Sequence, residues 1–276
     1  MDRNSRDVNC KECIELPSTV SVRPSSYFRW KEILDRAAAI VLLIPGLPII
    51  GTLIVLIRIT SKGPGIYCQR RVGKAGRVYT MYKLRSMRSD AEAATGPVWC
   101  SLGSDHRVTR LGYWLRKLHL DELPQLYNVL RGEMSLVGPR PERPEFVKVL
   151  AASIPDYLDR LLVAPGVTGL AQINLPADTD LNSVRRKLVL DLEYVRCASP
   201  LLDLRMFLST LLRMIGLKGD LAMRLMLLQR TVELEQDSSP DPIDAGATKV
   251  TPDSIATVVH SESPEAQTLN SRYVGF

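Results

Sequence analysis

Aromatic side chains are scarce, 6% of the 276 residues, and there are only three histidines. So few rings leave little for base stacking, and no arginine-rich helix carries polar base-reading side chains, so nucleic acid is not expected as a partner. His106, His119 and His260 do not stand at metal-ligand spacing to one another. No G-x-S-x-G, Walker loop or G-x-G-x-x-G occurs, which removes the nucleophile elbow, the P-loop and the dinucleotide fingerprint. Of the five cysteines, Cys68, Cys100 and Cys197 are isolated. Cys10 and Cys13 form a single C-x-x-C with no second pair and no nearby histidine. That pattern reads as free thiols in a reducing compartment, not as a disulfide framework or a zinc site. The polar first 26 residues contain no uninterrupted apolar run, which excludes a secretory signal and suggests a mobile tail.

What is present is unevenly distributed. The chain carries a formal charge of +6, yet six acids and only two bases lie from Asp237 onward. The preceding body is therefore strongly basic, as suits anionic lipid or a phosphorylated substrate. Mean hydropathy is −0.01, an average that conceals a run without any charge at residues 37–57. As a straight helix this run would match a bilayer core of about 30 Å. Pro45, Gly46 and Pro48 stand in its middle, and each proline removes a backbone donor. Three readings follow: a kinked spanning helix, a re-entrant hairpin that enters and leaves on one face, or a buried helix of a soluble core. Arg29, Lys31 and Arg36 precede the run, and Arg58, Lys62, Arg70, Arg71, Lys74 and Arg77 follow it. Lys and Arg mark cytoplasmic flanks, and both flanks qualify, which favours the re-entrant reading.

The rest of the chain is organised around residues 116–143. Asp121 and Glu122 head this stretch, Pro124 follows, Leu123, Leu126, Tyr127 and Leu130 recur at helical spacing, and Gly132 ends the pattern. The two carboxylates are thus expected at the N-terminal end of a short helix, where negative charge is favoured. Arg107, Arg110, Arg116, Arg131, Arg140 and Arg143 flank them. A carboxylate pair among arginines suits anionic substrates, a metal ion, or both; it equally suits an N-capped helix with surface ion pairs.

Strands are expected at residues 66–69 and 78–84 around a turn at 73–76, a loop at 91–104, and a helix at 108–118 with Leu111, Trp114, Leu115 and Leu118 on one side. Helices follow at 142–152 and 157–162, then a turn leading into a short apolar strand within 164–174, then a helix at 183–196 carrying Asp191 and Tyr194. Residues 201–234, rich in Leu, Met and cations, form either a membrane-surface amphipathic stretch or a core-docked helix pair. Residues 236–276 lack apolar periodicity and are expected to be disordered. The domain reading is a disordered tail at 1–28, a membrane-inserted hairpin at 29–60, a catalytic domain at 61–235 and an acidic disordered tail at 236–276.

The ordered series of motifs resembles the bacterial sugar transferases, the monotopic phosphoglycosyl transferases, in their short form. It runs through residues 31–35, the proline break, Gly63-Pro64-Gly65, Gln69-Arg70-Arg71-Val72-Gly73 and Tyr82-Lys83-Leu84-Arg85-Ser86-Met87. Thr109-Arg110-Leu111-Gly112, Leu115-Arg116, Leu120-Asp121-Glu122-Leu123-Pro124-Gln125, residues 128–132 and 134–141, Pro165-Gly166-Val167-Thr168-Gly169-Leu170-Ala171-Gln172, and Asp191 with Tyr194 complete it. The resemblance implies an α+β, mostly helical fold: a single catalytic domain on the cytoplasmic face of a bacterial inner membrane, with a proline-broken re-entrant helix and interfacial amphipathic helices.

The activity it implies is transfer of sugar 1-phosphate from a UDP-sugar to polyprenyl (undecaprenyl) phosphate, giving polyprenyl diphosphate sugar and UMP. This would be the first membrane step of exopolysaccharide, O-antigen or glycoprotein glycan assembly. It implies Asp121 as a nucleophile forming a covalent phosphosugar intermediate, with Glu122 holding Mg²⁺ or handling the proton; Asp121 and Glu122 are the implied metal ligands. Lys83, Arg116 and Arg140 match basic positions linked to phosphate, and Arg85, Arg110, Gln172 and Asp191 complete the expected phosphate-binding set. UDP-sugar, polyprenyl phosphate and membrane lipid are the implied partners, and a homodimer is admitted. After Gln172 the chain reads Asn174-Leu175-Pro176-Ala177-Asp178, where many relatives carry a Gly-Arg pair. Ile44 stands where some relatives have a serine before the central proline.

Overall fold

The apolar run lies within one helix, α1 (Phe28–Thr60), which contains both Pro45 and Pro48. The structure, a computed structural model, describes residues 13, 14, 16, 21–88, 91, 107–178, 180–214 and 216–232. The expected loop beyond residue 91 and the expected C-terminal tail lie outside these. The buried positions of α1 are Lys31, Asp35, Ala39, Gly46, Ile50 and Ile57. Steps of four and seven place them on one face of a helix with 3.6 residues per turn. Ile33, Ile40, Ile44, Leu47, Val55 and Ile59 on the other faces are exposed. Only 17% of the most apolar 18-residue window, mean hydropathy 2.8, is buried. A helix in a soluble core would bury far more, so the third sequence reading is not met.

The docked stripe is continuous, and α1 runs as one helical element through Pro45 and Pro48. Each proline loses one backbone hydrogen bond, while packing on either side of Pro45 and Pro48 keeps the same face against the body. Toward the N-terminal half, Ala39 joins a cluster with Tyr79, Met81, Val129 and Met134. Toward the C-terminal half, Ile50 and Ile57 pack with Leu84 and Leu115. Both ends are tied to that body by polar groups. Lys31 Nζ lies 3.1 Å from Asp35 Oδ2 and also contacts Asp203. The Tyr27 and Tyr194 hydroxyls donate to the same Asp203 carboxylate at 3.1 and 2.8 Å. Ser135 donates to Asp35 at 2.5 Å. At the far end, Arg85 Nη2 donates to the Ser61 carbonyl at 2.9 Å and to its hydroxyl oxygen at 2.7 Å.

Strands β1 (Ile66–Val72) and β2 (Val78–Leu84) pair antiparallel, Ile66 opposite Leu84 and Val72 opposite Val78, around the short 3₁₀ turn Lys74–Gly76. Helices α2 (Arg110–Lys117) and α3 (Gln125–Arg131) follow. Strand β3 (Ser135–Val137) pairs in parallel with β4 (Gly166–Thr168), with α4 (Pro144–Ser153) and the 3₁₀ segment Tyr157–Leu162 in between. The crossing is close enough that a Cβ on Gly166 would meet the Gly138 nitrogen at 2.0 Å. Helices α5 (Leu170–Asn174), α6 (Leu181–Cys197), α7 (Pro200–Met214) and α8 (Gly219–Leu225) complete a mostly helical chain with a few strands. Asp180 caps α6, accepting from the Ser183 N–H at 2.6 Å.

Two expectations need correction. Within residues 164–174, expected as a turn leading into a short apolar strand, the strand is Gly166–Thr168 and residues 170–174 form helix α5, whose Leu170, Ala171 and Ile173 are buried in one cluster with Leu190 and Tyr194. Residues 21–27, expected within a mobile tail, are held on the body. Val22 packs with Val163 and Val195, the Ser21 N–H donates to Asp159 at 2.8 Å, and the Ser25 N–H donates to the Val195 carbonyl at 3.0 Å.

Candidate active site

Asp121 and Glu122 occupy the 3₁₀ turn Leu120–Glu122, directly ahead of α3, at the N-terminal end where the sequence pattern put them. Pro124 takes the cap position, where its missing donor costs nothing. Gly132 ends α3 in the left-handed region (φ 77°), as the sequence pattern required. His119, exposed and left-handed at φ 53°, turns the chain from α2 into the acidic pair. Such a conformation in a residue with a Cβ is uncommon and concentrates at functional sites.

Helix α3 also fixes the strand that supplies the facing cation. Asn128 is fully buried; its Oδ1 accepts from the Tyr82 N–H at 3.1 Å and its Nδ2 donates to the Thr80 carbonyl at 2.7 Å. These two hydrogen bonds to β2 fix the strand that delivers Lys83, the residue after Tyr82, to Glu122. Lys83 Nζ donates to Glu122 Oε1 at 2.9 Å, and Arg140 Nη1 approaches the same oxygen at 3.7 Å. Arg116 donates through Nε to the Ser86 hydroxyl at 2.8 Å. Helix α2 reaches that segment because Gly112 lies against it: a Cβ there would fall 1.9 Å from the Ser86 carbonyl oxygen.

The two adjacent carboxylates differ electrostatically. Burial and the Glu122 charge push the Asp121 carboxyl above its ordinary value, against the pull of Lys83, Arg116 and His119. Burial would also raise Glu122, but Lys83 and Arg140 outweigh it and hold that carboxyl at about 2. Burial lowers the Lys83 ammonium, opposed by Glu122. Glu122 is therefore a fixed anion, and Asp121, only 8% exposed, is a poorly solvated carboxylate with no cation at bonding distance among the described residues. Such a group is a competent nucleophile toward an electrophilic phosphorus once cations neutralise the phosphate.

Of the residues expected in the site, the structure groups Asp121, Glu122, Lys83 and Arg140, with Arg116 close enough to influence Asp121. Arg85 instead holds the end of α1, and Arg110 is exposed at the start of α2. Gln172 and Asp191 line an adjoining cleft that Arg140 also lines. There Arg160, not anticipated from sequence, lies at the centre. It donates to the Arg140 carbonyl at 2.9 Å and the Tyr157 hydroxyl at 2.8 Å, and its Nη2 is 2.7 Å from Asp191 Oδ2. Burial pushes the Asp191 carboxyl up to about 6 despite that guanidinium. An isolated Arg ahead of two leucines gives no sequence signal for such a role.

Among the described residues no group of three or more His, Cys, Asp or Glu is arranged to hold a metal. Two adjacent carboxylates nevertheless fit Mg²⁺, which is held by one or two carboxylates together with substrate phosphates.

The family described as bacterial sugar transferase matches residues 26–216. An undecaprenyl-phosphate glucose phosphotransferase of Komagataeibacter xylinus is 42% identical over 191 residues, covering 66% of this chain and 35% of its own length. A UDP-N-acetylgalactosamine-undecaprenyl-phosphate N-acetylgalactosaminephosphotransferase of Aeromonas hydrophila is 39% identical over 192 residues, 69% of this chain and 45% of that protein. A UDP-glucose:undecaprenyl-phosphate glucose-1-phosphate transferase of Caulobacter vibrioides is 39% identical over 183 residues, 65% of this chain and 67% of that protein. The chain thus spans less than half the length of the first two of these relatives.

Proposed function

Because the chain belongs to the bacterial sugar transferase family, we propose that it moves a sugar 1-phosphate from a UDP-sugar to undecaprenyl phosphate. The observation that carries this reading is the contrast within the acidic pair: Glu122 clamped by Lys83 and Arg140, beside a buried Asp121 that has no such clamp. Asp121 attacks the sugar-bearing phosphorus, the bond to the bridging oxygen breaks, and UMP leaves with that electron pair. A phosphate oxygen of undecaprenyl phosphate then attacks the same phosphorus. The Asp121–phosphorus bond breaks, and undecaprenyl diphosphate sugar leaves. Splitting one transfer between two anions into two steps lets a single cationic cradle serve each in turn.

Lys83, Arg116 and Arg140 neutralise phosphate charge in both steps. Glu122 positions Lys83 and Arg140 and, with Asp121 and the donor diphosphate, would hold Mg²⁺, which would supply further neutralisation of phosphate oxygens.

We further read α1 as inserted in the inner membrane from the cytoplasmic side, with both ends on one face. Its N-terminal Lys31 and its C-terminal Ile57 and Ser61 bind the same polar body, which supports that reading over one in which the ends lie on opposite sides. The exposed Leu201, Leu204, Leu208, Leu221 and Leu225 of α7 and α8, with Arg205, Arg213 and Arg224 among them, supply an interfacial surface. The test is UMP release from UDP-sugars by membranes carrying the protein with undecaprenyl phosphate. Wild type releases UMP and Asp121→Asn does not; normal turnover in Asp121→Asn would overturn the mechanism.

A further inference from the structure

The cleft beside Arg140 contains more hydrogen-bonding capacity than the protein uses. It is open to solvent on one side, and Arg140, Glu142, Arg160, Gln172, Asp178 and Asp191 are among its walls. Two of its lining side chains carry a buried polar atom with no partner among the described residues: Gln172 Oε1 and Arg160 Nε. Such atoms are costly to leave without partners, and a ligand toward which the two side chains turn recovers that loss. Gln172 is held for the purpose, its Nε2 donating to the Val167 carbonyl at 3.3 Å.

The lining also says what kind of ligand. Cations and anions balance, with Lys187 Nζ 2.8 Å from Asp178 Oδ1 and Arg160 2.7 Å from Asp191. A balanced lining has little net attraction for a further phosphate, but its carboxylate, amide and guanidinium groups are partners for vicinal hydroxyls. A nucleobase would want an open aromatic face. The ring in this lining, Tyr157, is 2% exposed with its hydroxyl tied to Arg160.

The cleft is joined to the reaction centre by one side chain. Arg140 lines it and reaches Glu122 at 3.7 Å, and Arg160 pins the Arg140 carbonyl from within it. A ring in the cleft therefore has its attached phosphate beside Arg140 and the acidic pair.

Resting on the proposed transfer reaction, we propose that this cleft holds the sugar ring of the donor, with Gln172, Asp178 and Lys187 reading its hydroxyl pattern. The relatives act on different sugars, glucose in one and N-acetylgalactosamine in another, so a discriminating pocket is required somewhere in the shared fold.

The experiment uses the full chain in membranes, with UDP-glucose, UDP-galactose, UDP-N-acetylglucosamine and UDP-N-acetylgalactosamine as donors and UMP as a product inhibitor. In Asp178→Asn and Lys187→Ala, the kcat/KM ratio between the best donor and its epimer shifts at least about tenfold, while the UMP inhibition constant stays within about twofold. Gln172→Asn, which keeps the amide and shortens its reach, shifts the same ratio and guards against a variant that fails to fold. A UMP constant weakened tenfold at an unchanged donor ratio overturns the proposal in favour of a nucleoside occupant. Folded variants with neither quantity changed overturn it outright. If wild type releases UMP from no donor, the transfer reading itself fails, an outcome distinct from both.

Discussion

The Lys83 ammonium and the Glu122 carboxylate meet at 2.9 Å with side-chain exposures of 17% and 14%. The two consecutive carboxylates are thereby given opposite characters: that of Glu122 is held low by cations, and that of Asp121 is raised by burial and the Glu122 charge.

The first prediction concerns Lys83. Lys83→Ala removes the closest cation from Glu122 and one phosphate partner from the site. Loss of one preorganised electrostatic donor costs on the order of 10²–10³ in rate. Steady-state UMP release should fall by about that factor, with Lys83→Arg recovering part of it. An unchanged rate in Lys83→Ala would remove Lys83 from the site.

Glu122 contributes to stability in a pH-dependent way. Its carboxyl sits at about 2 in the fold against 4.5 ordinarily, so the unfolded chain binds the proton first as pH falls. The contribution is present above 4.5 and is lost as pH drops through 2. At about 1.4 kcal/mol per unit it amounts to roughly 3 kcal/mol. Glu122→Gln should unfold at lower denaturant concentration at pH 7, and the difference from wild type should shrink between pH 4.5 and 2.

Asp121 has the opposite sign. Its pKa is raised from 3.8, so the acid limb of kcat/KM should lie above pH 3.8, activity disappearing as pH falls through it. The same shift means that ionised Asp121 opposes folding above pH 3.8, so Asp121→Asn should be more stable than wild type at neutral pH. A limb at or below 3.8 in the pH profile would mean that another group titrates.

The cluster at the start of α1 gives a prediction about the fold. Lys31, 2% exposed, is in contact with both Asp35 and Asp203. Lys31→Met leaves two buried carboxylates without their cation, and breaking a buried pair on one side costs about 3–5 kcal/mol. Thermal unfolding in detergent should register that loss; a change below about 1 kcal/mol would mean that water already reaches the cluster.

Gly112→Ala is the simplest steric test. The added methyl would sit 1.9 Å from the Ser86 carbonyl, so α2 must move away from the segment that Arg116 binds. Stability should fall by about 3 kcal/mol or more, and UMP release should fall with it.

Local signals in the sequence account for what was legible. The uncharged run at 37–57, the hairpin around residues 73–76 and the stop at Gly132 are each encoded by adjacent residues, and all appear where the pattern put them. Helix α5 was misread because five residues are too few to separate a helical period from a strand. The three residues of β3 carry no period at all. Arg160 was missed for a different reason: its partners Arg140, Tyr157 and Asp191 come from separate segments, and only the fold assembles them. The Lys31–Asp203 contact joins residues 172 positions apart, beyond any local pattern. The continuity of α1 through Pro45 and Pro48 is likewise set by packing against the body.

The small residue Gly46 lies in that docked stripe, and a Cβ there would sit 4.0 Å from the Leu126 side chain of α3. α3 begins directly after the turn that carries Asp121. The exposed apolar face of α1 and the Asp121 carboxylate are therefore two sides of one seam, and a tilt of α1 would be felt at Asp121 without any intervening hinge. On the proposed membrane reading, bilayer thickness thus becomes a variable of the chemistry itself: lipids of different chain length should alter turnover even when every substrate is saturating.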